Sequence, residues 1–469
     1  MADSRQDTTL DVCVIGGGWS GIAAAIEACD AGRHVTLFEA APQLGGRART
    51  IAIDMGFGQI HLDNGQHLMM GAYRETLALI SRIAPEASQH MHREPMALRD
   101  TDGLEFGAAG LPAPLHLAVG FAMARGLGLN GRLACLRLMY ALWQRDWQVP
   151  DGETVSQLFA RTRQPDWLIR RLWRPLCISA LNTPPDDACA RTFSAVLRDT
   201  LGAARAASDF ILPDNTLGEC LPHPASIWLK ARGARIVLRT PVRSVQRDGS
   251  LWRIALMDGA PLARSVVLAA PPANSARLIS AAPGAEATSA SLALRDALSA
   301  FRPIPIATTY LAWPESEVST LPRWTMLSAL GLKEGEAAGD WLFDRGVHRG
   351  HRLAAIVVSN ATTPGGSLEH LTVAVSKSAT RALGLPAPSH SFTVFERRAT
   401  FACVPDRPLI EQPAAGNLPG LWLAGDYTER DYPATIESAV RSGLRAGALA
   451  ARQASTHRAS AQLQASDSA

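Results

Sequence analysis

Three glycines and one acid near the start of the chain are spaced to grip a pyrophosphate and a ribose. Gly16, Gly18 and Gly21 form a GxGxxG match, and Glu39 follows 23 residues after Gly16. Gly16 permits a tight turn, Gly18 lets backbone approach a pyrophosphate, and Gly21 lets a helix lie close to a strand. A helix beginning there offers free N–H groups and the positive end of its dipole to phosphate oxygens. A carboxylate at Glu39 accepts from a ribose hydroxyl, which favours FAD or NAD and disfavours the 2′-phosphate of NADP.

The elements needed to position these residues are legible around them. Leu10–Ile15 is a short apolar run of the kind that forms a buried parallel strand. An Ala-rich helix is expected from Ile22 to about Ala31, with Gly32 as its stop, and His34–Phe38 reads as a second strand. The opening is therefore βαβ. Next come Gly45, Gly46 and Arg47, which offer backbone N–H groups and a planar guanidinium fork to phosphate.

With this GGR-type loop, the chain resembles the amine-oxidase and phytoene-desaturase superfamily of flavoproteins. The resemblance implies FAD as cofactor and an α/β fold. Its Rossmann-like FAD-binding domain, of the GR2 type, would be assembled from discontinuous segments, with an inserted mixed α+β, largely helical substrate domain. Residues 1–70, 223–290 and 400–455 are expected to form the FAD domain, 71–222 and 291–399 the substrate domain, and 456–469 a flexible tail. Relatives use a valine matching Val242 to meet adenine through its backbone, and a Gly-Asp matching Gly425-Asp426 to hold the ribityl and pyrophosphate part. Ile436 matches a backbone N–H at the flavin pyrimidine. Small residues Ala439, Gly443, Ala446, Gly447 and Ala450 are expected to let the last helix lie close to neighbouring backbone.

Two segments narrow the resemblance. Asp63-Asn64-Gly65-Gln66-His67, and Pro175-Leu176-Cys177-Ile178-Ser179-Ala180-Leu181-Asn182-Thr183-Pro184, are similar to the hydroxysqualene dehydroxylases of bacterial squalene and hopanoid biosynthesis. The implied reaction is reductive removal of the hydroxyl from hydroxysqualene, with hydride from reduced flavin. Such a site needs an apolar tunnel, a proton donor near the oxygen and exclusion of water. His67 and Asp63 are the catalytic candidates for the proton donor or its support, and Gln66 for orienting the hydroxyl. Arg174 and Asn182 are expected to line the pocket. The structural alternatives are a hydrogen bond at a strand end for His67, a turn for Asp63 and an interface cation for Arg174. The competing functions are a desaturase running the flavin in the oxidative direction and a non-catalytic FAD-binding scaffold docked on membrane-bound synthases.

Composition bounds the remainder. The 469 residues carry a net charge of +3, too little to argue for nucleic acid. None of the seven cysteines forms CxxC, so no zinc ribbon or thioredoxin-type motif is present, and no metal site is expected. A cytoplasmic location is expected, since the polar Met1–Thr9 lacks the layout of a secretory signal. Phe106–Ala124 lacks charge, but Pro112 and Pro114 argue against a membrane span. Leu133, Leu136, Tyr140, Trp143 and Trp147 recur at helical spacing. The plain expectation is a helix packed on its own core; the sharper one is a face at the membrane surface that receives a lipid. Only one complete dinucleotide fingerprint is visible, so no site for NAD(P)H is assigned.

Overall fold

The expected opening forms as β1 (Leu10–Ile15), α1 (Trp19–Asp30) and β2 (Val35–Phe38). This is seen in a computed structural model that describes residues 9–113, 115–280, 289–322, 325–326, 340–361, 366–412 and 418–466. The N-terminal stretch Met1–Thr8 and residues 467–469 lie outside the described residues. β1 is buried on both faces along its apolar run Val12–Ile15. Val12 and Val14 enter the core beneath α1, while Cys13 and Ile15 enter the core on the opposite side. Gly32, at φ +73°, ends α1: its N–H donates to the Cys29 carbonyl at 2.9 Å and that of Arg33 to Ala28 at 3.0 Å.

Distant stretches complete this sheet. β3 (Leu262–Leu268) lies parallel to β1, β4 (Leu421–Leu423) lies parallel to β3, and Arg235–Val237 lies parallel to β2. Leu251–Ala255 and Ser244–Asp248 extend it in antiparallel fashion. The result is a seven-stranded, mostly parallel sheet built from early, middle and late chain.

Of the two long insertions, the first is largely helical. It includes α2 (Leu115–Met123), α3 (Gly128–Trp143) and the helices Arg174–Leu181 and Ala190–Leu197. The second is dominated by strands. Pro303–Pro314 sits between His351–Ser359 and His390–Phe401 in a second seven-stranded sheet, to which Ala97–Asp100 and Glu105–Gly107 of the first insertion also belong. Runs such as Ile304–Tyr310 and Ile356–Val358, rich in β-branched and aromatic residues, favour this extended packing.

The last helix is α4 (Ile436–Ser466). Its small residues let it press on α1: a Cβ at Gly443 would stand 2.2 Å from the Ser20 carbonyl oxygen, and one at Gly447 2.4 Å from that of Ala24. It continues past residue 455 as far as Ser466. The physical reason is that no Gly or Pro follows Gly447, while Ala, Gln and Arg there favour helix. No helix among the described residues is long and apolar enough to cross a membrane.

The Leu133 face departs from the plain expectation. Leu133, Leu136, Tyr140 and Trp143 point outward, 53%, 38%, 56% and 65% exposed, while Ala134, Cys135, Leu138 and Leu142 pack inward. Trp147 behaves differently. It lies past the helix end, with its indole packed where a Cβ on Gly202 would stand.

Candidate active site

The first βα turn is shaped to accept phosphates. Gly16 takes φ +107°, where a Cβ would meet the Ala269 carbonyl oxygen at 2.7 Å. A Cβ at Gly21 would come within 1.9 Å of the Gly16 carbonyl oxygen, so helix and turn meet directly there. Gly18 begins α1 without any side-chain cap, and a Cβ on it would meet nothing nearer than the Gly46 Cα at 3.9 Å. Gly46 faces it at φ +60°. Together they present bare backbone at an uncapped helix N-terminus, which fits the pyrophosphate of FAD. Glu39, at the end of β2, accepts from the Gly17 N–H at 2.5 Å and the Ala41 N–H at 2.7 Å.

A cavity of about 940 Å³ begins at this turn. Gly16, Gly18, Glu39, Gly46, Arg47 and Val242 line it, as do Gly425, Asp426 and Ile436. Arg47 donates to the Ala399 carbonyl at 2.6 Å and to Asp426 Oδ2 at 2.7 Å. The Gly425 N–H donates to Ser442 Oγ on α4 at 2.9 Å. Beyond these polar groups the walls become apolar, with Leu172, Trp173, Phe193, Phe210, Phe121 and Phe343.

His67 and Gln66 both line the cavity. His67 Nδ1 lies 2.8 Å from the Gly65 carbonyl, so its Nδ1–H is committed there and the exchangeable position is Nε2. Burial, and secondarily the charge of Arg47, lower its pKa from the ordinary imidazole value. Gln66 donates through Nε2 to the His67 carbonyl at 2.9 Å, while its Oε1 is buried with no partner among the described residues. An unmatched buried acceptor costs stability unless something in the cavity donates to it.

Two expected site residues are placed elsewhere. Asp63 is 3% exposed and turned from the cavity: its Oδ1 accepts from the Leu217 N–H at 2.7 Å, at the start of the helix Leu217–Cys220. Its backbone carbonyl accepts from the Tyr310 hydroxyl at 2.9 Å. Burial pushes its carboxyl up to about 6, against the hydrogen bond from Leu217. Arg174 is exposed at the first position of its helix and lines no part of the cavity, because Leu172, Trp173, Leu176 and Ala180 occupy the inward face. Asn182 does line it. In a left-handed conformation at φ 48°, it ends the helix, donates to Thr400 Oγ1 at 2.8 Å and accepts from the Asn360 N–H at 2.7 Å.

The structure adds wall residues that the sequence did not single out. Tyr432 donates to Asp199 Oδ2 at 2.5 Å, with Arg441 3.2 Å from the same hydroxyl. Burial, then the bond to Asp199, raises the Tyr432 pKa. Burial opposes ionisation of Asp199 as well, but hydrogen bonds from Arg198 and Tyr432 prevail and keep its carboxyl below the usual range. The two residues lie 233 positions apart, so their pairing was not readable in the sequence. Thr308, on the strand Pro303–Pro314 of the second sheet, accepts from the Gln66 N–H at 3.2 Å. No group of His, Cys, Asp and Glu among the described residues is placed to hold a metal.

Comparison with known proteins agrees with this geometry. The chain is 27% identical over 456 residues to a hydroxysqualene dehydroxylase of Sinorhizobium fredii, covering 95% of this chain and 99% of that protein. It is 29% identical over 454 residues to one of Rhodopseudomonas palustris, covering 93% and 97%. Among solved structures, cyclohexylamine oxidase from Brevibacterium oxydans superposes with a TM-score of 0.66 at 17% identity, covering 95% of this chain and 99% of that one. The family described as flavin containing amine oxidoreductase matches residues 19–450. With its phosphate cradle and the cavity beyond it, the chain belongs to that family and is an FAD-dependent oxidoreductase.

Proposed function

We propose that this enzyme reduces hydroxysqualene to squalene. The observation that carries the reading is one cavity whose polar station, His67 and Gln66, gives way to a wall of Leu172, Trp173, Phe193 and Phe210. That layout suits a long hydrocarbon with a single hydroxyl. Similarity to hydroxysqualene dehydroxylases over nearly the full length supports the same substrate.

Bound FAD supplies the hydride when reduced. The chain supplies orientation and the proton. Gln66 Oε1 accepts from the substrate hydroxyl and turns its carbon toward the hydride donor. His67 in its protonated form delivers a proton from Nε2 to the departing oxygen, while the Gly65 carbonyl keeps hold of Nδ1–H. A lowered pKa makes that imidazolium a stronger acid, though a less populated one. The apolar wall keeps other water from the cationic carbon. The balance is one hydride and one proton consumed, the C–O bond broken, a C–H bond formed and water released.

The test is anaerobic reaction of photoreduced enzyme with hydroxysqualene, followed by product analysis. One squalene per flavin reoxidised is expected. Squalene absent while flavin stays reduced would overturn the reading. Flavin reduction by a polyene substrate would instead mark a desaturase.

A further inference from the structure

We propose that α2 and α3 form a docking surface for an anionic lipid bilayer. Eight large apolar side chains there face solvent: Leu111, Leu115 and Met123 on and before α2, and Leu129, Leu133, Leu136, Tyr140 and Trp143 on α3. Met123 is 75% and Leu129 71% exposed. Both belong to short helices that already pack another face inward, through Phe121 on α2 and Leu138 on α3. Exposure on this scale over two helices packed side by side marks an interaction site.

Charge selects the occupant. From Gly107 to Arg145 the chain carries Arg125, Arg132, Arg137 and Arg145 and no Asp or Glu. Arg125 is 82% exposed, with Glu105 3.5 Å away as its nearest acid. Arg137 is fixed by the carbonyls of Thr162 and Arg163, which holds its cation beside the apolar residues of α3. An apolar face with an arginine rim and no carboxylates within the segment complements acyl chains beneath anionic headgroups. Tyr140 and Trp143, stacked with ring centroids 6.0 Å apart, are the residue types that settle at the water–lipid boundary.

The surface adjoins the site. Phe121 lines the cavity from the same helix that exposes Leu115 and Met123 outward, so α2 stands between the cavity and the proposed bilayer. A water-insoluble substrate would thus have the shortest path from acyl chains to cavity. The lipid-binding surface itself does not depend on which substrate is reduced.

The test is co-sedimentation of the FAD-loaded protein with vesicles of phosphatidylcholine alone or mixed with phosphatidylglycerol. The wild-type protein is expected to pellet with the mixed vesicles, less with the neutral ones, and less as salt rises. A protein carrying Leu133→Ser, Tyr140→Ser and Trp143→Ser should lose about tenfold or more of that binding. It should keep its flavin spectrum, its melting point and its activity on detergent-dispersed substrate. Leu115→Ser with Met123→Ser gives an independent second variant on α2. The proposal is overturned if the wild-type protein ignores both vesicles, or if both variants pellet like wild type. It is also overturned if sedimentation velocity shows a wild-type dimer that the variants convert to monomer, since a second copy would then cover the face.

Discussion

Arg47 and Asp426 lie 379 residues apart in sequence and 2.7 Å apart in space. Arg47 is 35% exposed and Asp426 5%, so the pair fastens the early glycine loop to the far end of the last strand. Their net contribution to folding is small, roughly 1 kcal/mol or less for a partly solvated pair. Their larger effect is on placement: both line the cavity at its phosphate end. Arg47→Ala is expected to fold with near-normal stability yet bind flavin at least about tenfold more weakly, because the cation that ties the glycine loop to Asp426 beside the cavity is lost. Flavin fluorescence released on dilution measures this.

Two glycines should separate folding from flavin binding. Gly21→Ala drives a Cβ into the Gly16 carbonyl oxygen and should lower the apoprotein melting point by several degrees. Gly18→Ala meets nothing closer than 3.9 Å. It should leave apoprotein stability unchanged while filling the phosphate strip, so that purified protein emerges pale. Equal apoprotein melting points for the two variants would contradict this.

Asp63 should make stability depend on pH in an unusual direction. Its folded-state pKa of about 6 lies above the ordinary carboxyl value of 3.8, so the folded state binds the proton more tightly than the unfolded chain. Its stabilising contribution is complete below about 4 and lost as pH rises through 6, on the order of 3 kcal/mol at most. Asp63→Asn keeps an oxygen for the Leu217 N–H and removes the ionisation. The variant should melt higher than wild type at pH 8, and the difference should close near pH 4. Thermal melts across that range provide the check.

For His67, turnover should fall as pH rises, because the proton-bearing form becomes scarce. The midpoint is expected below the ordinary imidazole value of 6.5, as burial dictates. His67→Gln should lower kcat by about 10²-fold or more and flatten that limb, with FAD retained. A variant showing the wild-type pH profile would remove His67 from proton transfer.

Local signals in the sequence were sufficient where the structure is local. Gly16 to Glu39 could be read almost completely because turn, helix and acid all lie within one βαβ unit. The α3 face was harder: both sides of that helix are apolar, and periodicity cannot tell Leu133 from Leu138 when each recurs with its own stripe. Arg174 was misjudged for a related reason. Its neighbours Leu172, Trp173 and Leu176 do reach the cavity, and helical geometry turns Arg174 outward. Asp63 stands near His67 in the sequence, but its carboxylate is taken up by the Leu217 N–H, which arrives from far along the chain. Tyr432 and Asp199 share the same difficulty, since their meeting depends on the folded path of the intervening chain.

The contact of Gly443 and Gly447 with Ser20 and Ala24 makes the last helix the backing of the first. Biosynthesis completes α1 long before α4 has been translated. The nucleotide cradle therefore stays half-walled until α4 has been made. Chains cut short before α4 should stay colourless and fall to proteases.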